Sequence, residues 1–227
     1  MSIVQTDAPM TYGLCHETIE KIVETYPVCS SRSIGTTAFG REIEAMAIGS
    51  GGRTVLFTAA HHANEWITAT VLLKFAEELS RAILEKGQVY GIPANLFEEN
   101  CQIFLVPMVD PDGVDLVTGG IARGSIQWEQ AKRLSNNCPS IPFPNGWKAN
   151  LLGVDLNLQY PAGWLQAREI KFSQGYTRPG PRDYVGKAPL TQRESRALAD
   201  FTSYLDPALI LAYHTQGEQI YWKYDDI

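Results

Sequence analysis

The amino-acid sequence predicts one α/β domain spanning residues 1–227, and three observations carry that prediction. Two short continuous apolar runs, TVLFTAA at residues 54–60 and QIFLVPMV at residues 102–109, have the character of strands buried on both faces. Between and after them lie segments with helical spacing, so strands alternate with helices. No repeat, low-complexity tract or linker divides the chain, and 44% hydrophobic with 19% charged residues supplies one large core.

Taken in order, LCHETIEKIVETY at residues 14–26 sets Leu14, Ile19, Ile22 and Val23 on one side of a helix that Pro27 stops. His16 falls on this surface helix and reads as a solvated histidine. Residues 31–52 alternate apolar and polar side chains on both sides of Phe39-Gly40-Arg41, the pattern of a hairpin closed by glycine. Residues 66–86 carry Ile67, Val71, Leu72, Phe75, Leu79 and Ile83, a long amphipathic helix ending at Gly87. The second apolar run leads into DPDG, a turn signal in which Asp110 and Asp112 read as turn residues. Residues 119–181 are rich in Gly, Pro, Asn and aromatics with little periodicity, and read as a long loop, functional or disordered. A helix at 191–204, a strand ALILAYH and an apolar-rich QIYWKY follow.

Charge and composition narrow the function. The formal charge is −6, the isoelectric point is near 5.3, and lysine and arginine form no cluster. That excludes the electrostatic footprint of nucleic-acid or anionic-membrane binding and favours a small-molecule or peptide partner. The first ten residues lack the basic and apolar segments of a secretory leader, and no apolar run approaches a membrane span. The expectation is a soluble, cytoplasmic protein. Cys15, Cys29, Cys101 and Cys138 are too few and scattered for a disulfide framework, so reduced thiols are expected.

The chemistry-bearing segment is TAAHHANEWITA, residues 58–69. His62 and Glu65, three apart in a turn leaving a strand, can aim at one point, and two histidines with one glutamate form a known catalytic zinc set. The third ligand must come from His16, His61 or His214. His214 ends a strand and could meet the first pair at one edge of a sheet. Spacing alone leaves both a metal site and a polar turn open.

HHANEW, VPMVDPDG, NGWKAN, GVDLNLQYPAGW and AYHTQGEQIYW occur in an order that resembles the motifs of the carboxypeptidase A-like (funnelin, M14-type) zinc carboxypeptidases, over residues 40–222. The resemblance is closest to the bacterial γ-D-glutamyl-diamino-acid endopeptidases, which cut peptidoglycan stem peptides. It implies three layers, a central mixed β-sheet flanked by helices, and Zn²⁺ held by His62, Glu65 and His214, with His61 a neighbour of the site. Lys148 stands where the family has the arginine that stabilises the oxyanion. Asn157 matches a substrate-carboxylate asparagine, but Leu158 replaces the arginine that clamps a terminal carboxylate. Ordinary carboxypeptidase activity is therefore not expected. Arg178 or Arg182 could supply a replacement cation, or either could be an unpaired surface arginine.

In the family, a general-base glutamate and a substrate-contacting tyrosine lie well downstream of the third ligand. The sequence stops about a dozen residues after His214, and Glu218 falls off the base position. The resemblance thus implies a domain incomplete at its C-terminus, weak or absent activity in this form, and an uncovered sheet open to self-association. The expected function is zinc-dependent hydrolysis of γ-D-glutamyl-diamino acid bonds in peptide or muropeptide substrates. The alternatives are a non-catalytic zinc-containing peptide-binding module and an amidohydrolase that deacylates small acidic amino acids.

Overall fold

A computed structural model describes residues 2–222. In chain order its elements are α1 (Tyr12–Thr25), β1 (Cys29–Thr36), β2 (Glu42–Ile48), β3 (Arg53–Thr58), α2 (Ile67–Leu84), β4 (Gln88–Val89), β5 (Ile92–Pro93), α3 (Asn95–Asn100), β6 (Cys101–Val106), α4 (Pro111–Thr118), α5 (Ile126–Ser135), α6 (Trp164–Ser173), α7 (Arg193–Leu205) and β7 (Leu209–Ala212). Single 3₁₀ turns, Ala63–Glu65 and Leu156–Leu158, interrupt two of the loops.

The main sheet runs β1-β2-β6-β3-β7. The β1-β2 and β2-β6 pairs are antiparallel, whereas β6, β3 and β7 lie parallel, so the sheet is mixed. Both faces of its centre are covered, which is why β3 and β6 read as unbroken apolar runs. Ile103 and Leu105 pack on one side with Val55, Met46 and Ile48, under Ile19 and Ile22 of α1 and Leu72, Leu73 and Leu79 of α2. Phe104 and Val106 point to the other side with Leu56, Ile43 and Ala45, against Leu198 and Phe201 of α7 and Leu156. The result is the three-layer arrangement expected. A third cluster, around the fully buried Trp147, joins Leu116 of α4 to Trp128 and Ala131 of α5.

Gly40 adopts φ +84° and closes the hairpin between β1 and β2. Gly35 serves contact: a Cβ there would lie 2.6 Å from Cβ of Ala197, where α7 crosses β1. The long helix α2 ends as expected before Gly87, but Lys86 takes the left-handed conformation, at φ +53°.

Three local expectations are corrected. DPDG opens α4: Asp110 caps it by accepting from Gly113 N, and Pro111 occupies the first turn, where no amide donor is needed. Asp112 is fully buried and paired with Arg41. Residues 119–181 hold α5 and α6, whose buried residues are only Trp128 and Ala131 in α5 and Trp164 in α6, too few to mark an apolar stripe. His16 is not simply solvated: its Nδ1 lies 3.0 Å from Oε2 of Glu44, and that hydrogen bond raises its pKa.

β7 is the outer strand on one side. All four of its residues are exposed, with Leu209 and Ile210 about half so. No helix among the described residues is long and apolar enough to cross a membrane.

Candidate metal centre

The site forms where two adjacent parallel strands end. After β3 the chain continues through Ala59 and Ala60, whose carbonyls accept from Val109 N and Asp110 N. It then turns at Ala60, with φ +47°. Thr68 Oγ1 fixes this turn by accepting from Ala60 N and donating to the Glu65 carbonyl. The 3₁₀ turn follows, with Ala63 N donating to the Lys148 carbonyl and Glu65 N to that of His62. From the neighbouring β7, Tyr213 N donates to Thr58 O and delivers His214 to the same edge. Because β3 and β7 are parallel, their carboxyl ends coincide there.

His62, Glu65 and His214 are thereby brought together. Nδ1 of His214 lies 2.8 Å from Oε2 of Glu65, and Nδ1 of His62 lies 3.1 Å from Oε1. The two Nδ1 atoms are 3.2 Å apart. Among the described residues this is the one group of three His, Cys, Asp or Glu side chains whose donor atoms converge, all within 4.8 Å of one another. His62 and Glu65 are buried and His214 is the exposed member, so one side stays open. A donor set of two imidazole nitrogens and one carboxylate fits zinc with a position left for substrate.

Electrostatics favour a cation at this point. Burial alone would raise the Glu65 carboxyl, but hydrogen bonds from His214 and His62 outweigh it and bring its pKa down to about 2. Behind the trio, Oδ1 of the buried Asp155 stands 3.3 Å from Nε2 of His62. That approach is off the hydrogen-bond direction, so Nε2 is formally unpartnered. Glu65 is the one carboxylate of the trio, and Asp155 adds a second negative charge behind His62.

The neighbours divide the remaining roles. His61 is buried outside the converging trio, with Nε2 3.2 Å from the hydroxyl of Tyr160. Burial, then the charges of His214 and His62, push its pKa down to about 3, which keeps it neutral. Lys148 is mostly buried, with Nζ 3.9 Å from Oδ2 of Asp155, so its cation sits one carboxylate away from His62. Asn157 is exposed and Leu158 half-buried on the second 3₁₀ turn, which Asp155 caps by accepting from Asn157 N. Arg182 is paired, its Nε donating to Asp183, whereas Arg178 is exposed. Glu218 is exposed at φ +49°.

Asp155, Tyr160, Lys171 and Asp183 join this region without a role that their sequence positions assign. Asp155 was within reach as the acid of DLNLQYP, since a buried carboxylate beside a histidine ligand holds that ring in orientation. Nothing local in the sequence marks the other three.

A mixed α/β sheet that gathers two imidazoles and a carboxylate at the carboxyl ends of adjacent parallel strands is the architecture of a single-zinc site in a three-layer protein. The chain belongs to the zinc carboxypeptidase family, whose profile matches residues 15–227. It is 36% identical over 216 residues to γ-D-glutamyl-L-diamino acid endopeptidase 1 of Lysinibacillus sphaericus, an alignment covering 95% of this chain and 53% of that protein. It is 40% identical over 209 residues to the uncharacterised protein YqgT of Bacillus subtilis, covering 91% and 54%. The structure of bovine thrombin-activatable fibrinolysis inhibitor, in complex with a tick carboxypeptidase inhibitor, superposes with a TM-score of 0.69 at 16% identity, covering 98% of this chain and 64% of that one. The chain thus spans about half the length of the two bacterial relatives.

Proposed function

We propose that this chain carries the zinc site of a peptidase that hydrolyses γ-D-glutamyl-diamino acid bonds in peptidoglycan-derived peptides, with zinc held by His62, Glu65 and His214. The convergence of those three donors within 4.8 Å, open on the His214 side, carries the reading. The bond class is supported by the likeness to the Lysinibacillus endopeptidase. The chemistry supplied by zinc when bound is Lewis-acid polarisation of the scissile carbonyl and acidification of water.

The chain's own residues bind and orient. Asp155 keeps the His62 ring in place and holds Lys148 beside it. Lys148 presents a cation to the oxygen that gains charge during acyl transfer. Asn157 and Arg182 receive substrate carboxylates, while the side chain of Leu158 offers an ordinary C-terminal residue no charged partner. Four free cysteines among the described residues fit a reducing compartment, and we read the protein as cytoplasmic. The exposed outer strand β7 supports self-association through strand pairing.

The test is hydrolysis of a γ-D-glutamyl-diaminopimelate peptide, beside an α-linked peptide of the same length, by zinc-loaded protein produced from its complete natural reading frame. Cleavage of the γ-linked peptide alone is expected. Preferential release of C-terminal residues from the α-linked peptide would overturn the proposal.

A further inference from the structure

The segment after Gly180 is stitched to the loop that carries Lys148 and Asp155. The Pro181 carbonyl accepts from both Lys148 N and Ala149 N, Asp183 N donates to Oδ2 of Asp155, and Asp155 N donates to the Tyr184 carbonyl. Arg182 is therefore flanked on both sides by residues bonded to the rim of the metal centre. Asp183 pays for its place: it is buried yet adopts φ +63°, a left-handed conformation that a non-glycine residue rarely takes. Its carboxylate is shared by two cations, with Oδ1 2.7 Å from Nζ of Lys171 on α6 and Oδ2 accepting from Nε of Arg182.

One cation would neutralise that carboxylate, and Lys171 at 2.7 Å already does. The guanidinium is left as surplus positive charge, and Arg182 is one-third exposed. An arginine presents two bidentate edges, one through Nε and one through its two terminal nitrogens. Asp183 occupies the Nε edge. No hydrogen bond or ion pair engages the terminal nitrogens among the described residues, and they form the edge that matches a carboxylate end-on.

We infer that Lys171 and Asp183 are positioning residues that hold Arg182 with its outer edge free to bind a substrate carboxylate, the task for which Leu158 offers no charge. The inference rests on the peptidase reading above. Lys171 is the less obvious member. With Nζ on Oδ1, Lys171 anchors the Asp183 carboxylate and so fixes the Oδ2 that orients Nε of Arg182. Without Lys171, the Asp183 carboxylate would be free to swing, Arg182 would lose its fixed direction, and the outer edge would no longer be presented in one orientation.

The test is calorimetric binding to zinc-free protein of a γ-D-glutamyl-diaminopimelate peptide and of the same peptide with its carboxylates converted to carboxamides. Lys171→Met and Asp183→Asn should each weaken the carboxylate form about tenfold and leave the carboxamide form within about twofold, the signature of one lost charge-assisted contact. Lys171→Arg should restore binding. Arg182→Ala should abolish the preference for the carboxylate form, and adding Lys171→Met to it should change nothing further. Asparagine tolerates the left-handed backbone, so Asp183→Asn tests the clamp even where Lys171→Met destabilises the fold. Equal weakening of both peptides by Lys171→Met and Asp183→Asn, or a further loss in the Arg182→Ala background, would make the pair merely structural and overturn the inference while leaving the peptidase reading intact. Wild-type protein that binds neither peptide, with zinc or without, overturns both.

Discussion

Asp155 and His62 stand 3.3 Å apart, Oδ1 to Nε2, and both are buried. The other oxygen of Asp155 accepts from Asp183 N and faces Lys148, so one carboxylate links the imidazole, the proposed oxyanion cation and the segment carrying Arg182. Asp155→Ala is expected to lower zinc affinity about 10- to 100-fold, as loss of a carboxylate behind a histidine ligand does. Competition with a chromogenic chelator measures it. An unchanged zinc affinity would show that Asp155 has no part in holding the ring.

Zinc stoichiometry tests the ligand set directly. His214→Ala removes one of three converging donors and is expected to reduce bound zinc from one equivalent to well below it after dialysis. His16→Ala should leave one equivalent bound, because His16 pairs with Glu44 away from the trio. Its effect on stability should be on the order of 1 kcal/mol, since it removes one part-buried hydrogen bond to Glu44. Zinc loss in His16→Ala with retention in His214→Ala would refute the assignment.

Leu158 half-buries an apolar side chain beside Asn157, and in the proposed function it leaves a C-terminal carboxylate without a charged partner. Leu158→Arg is expected to raise release of C-terminal residues from α-linked peptides by about tenfold to a hundredfold, the worth of one charge-assisted hydrogen bond in a partly dry pocket. Chromatographic assay of the freed amino acid reads the change. No gain in a variant that folds and binds zinc would show that position 158 does not face the substrate terminus.

The sheet and the convergence of His62, Glu65 and His214 were legible because burial on two faces and close spacing of polar side chains both leave local marks. Val55, Leu56, Phe57 and residues 103–106 give both faces of β3 and β6 apolar side chains, and His62 and Glu65 lie three residues apart in one turn. His214 could be paired with them because a parallel strand ends at the same edge. The helices α5 and α6 were not legible, since each is anchored by one or two buried side chains and has no stripe to detect. Asp110-Pro111 reads equally as a turn or as a cap followed by a first-turn proline, and only the buried contacts of α4 decide between them. The clamp on Arg182 joins α6 to a distant loop through Lys171 and Asp183, a pairing that no sequence spacing encodes.

Acids away from the metal trio give the fold a pH dependence of its own. Asp110, Asp112 and Glu194 are buried, and each keeps one carboxylate oxygen without a hydrogen-bond partner. Arg41 pairs with Asp112 and Asp115, while Glu194 faces Asn150, with Arg193 a compensating charge. Burial, reinforced by the charge of Asp112, raises Glu194 from its ordinary 4.5 to about 7. Burial likewise raises Asp110, with Glu194 adding to it. A carboxyl raised in the folded state binds a proton that the unfolded chain has already released, so stability falls as pH rises. For Glu194 the stabilisation is complete below pH 4.5 and lost as pH passes about 7. The span is on the order of 3 kcal/mol. Glu194→Gln mimics the protonated acid at all pH values. Urea unfolding of zinc-free protein at pH 5 and pH 8 should show wild type losing more stability than the variant between the two. Parallel losses would mean that Glu194 is ionised in the folded protein throughout this range, with its charge balanced by Arg193 and Asn150.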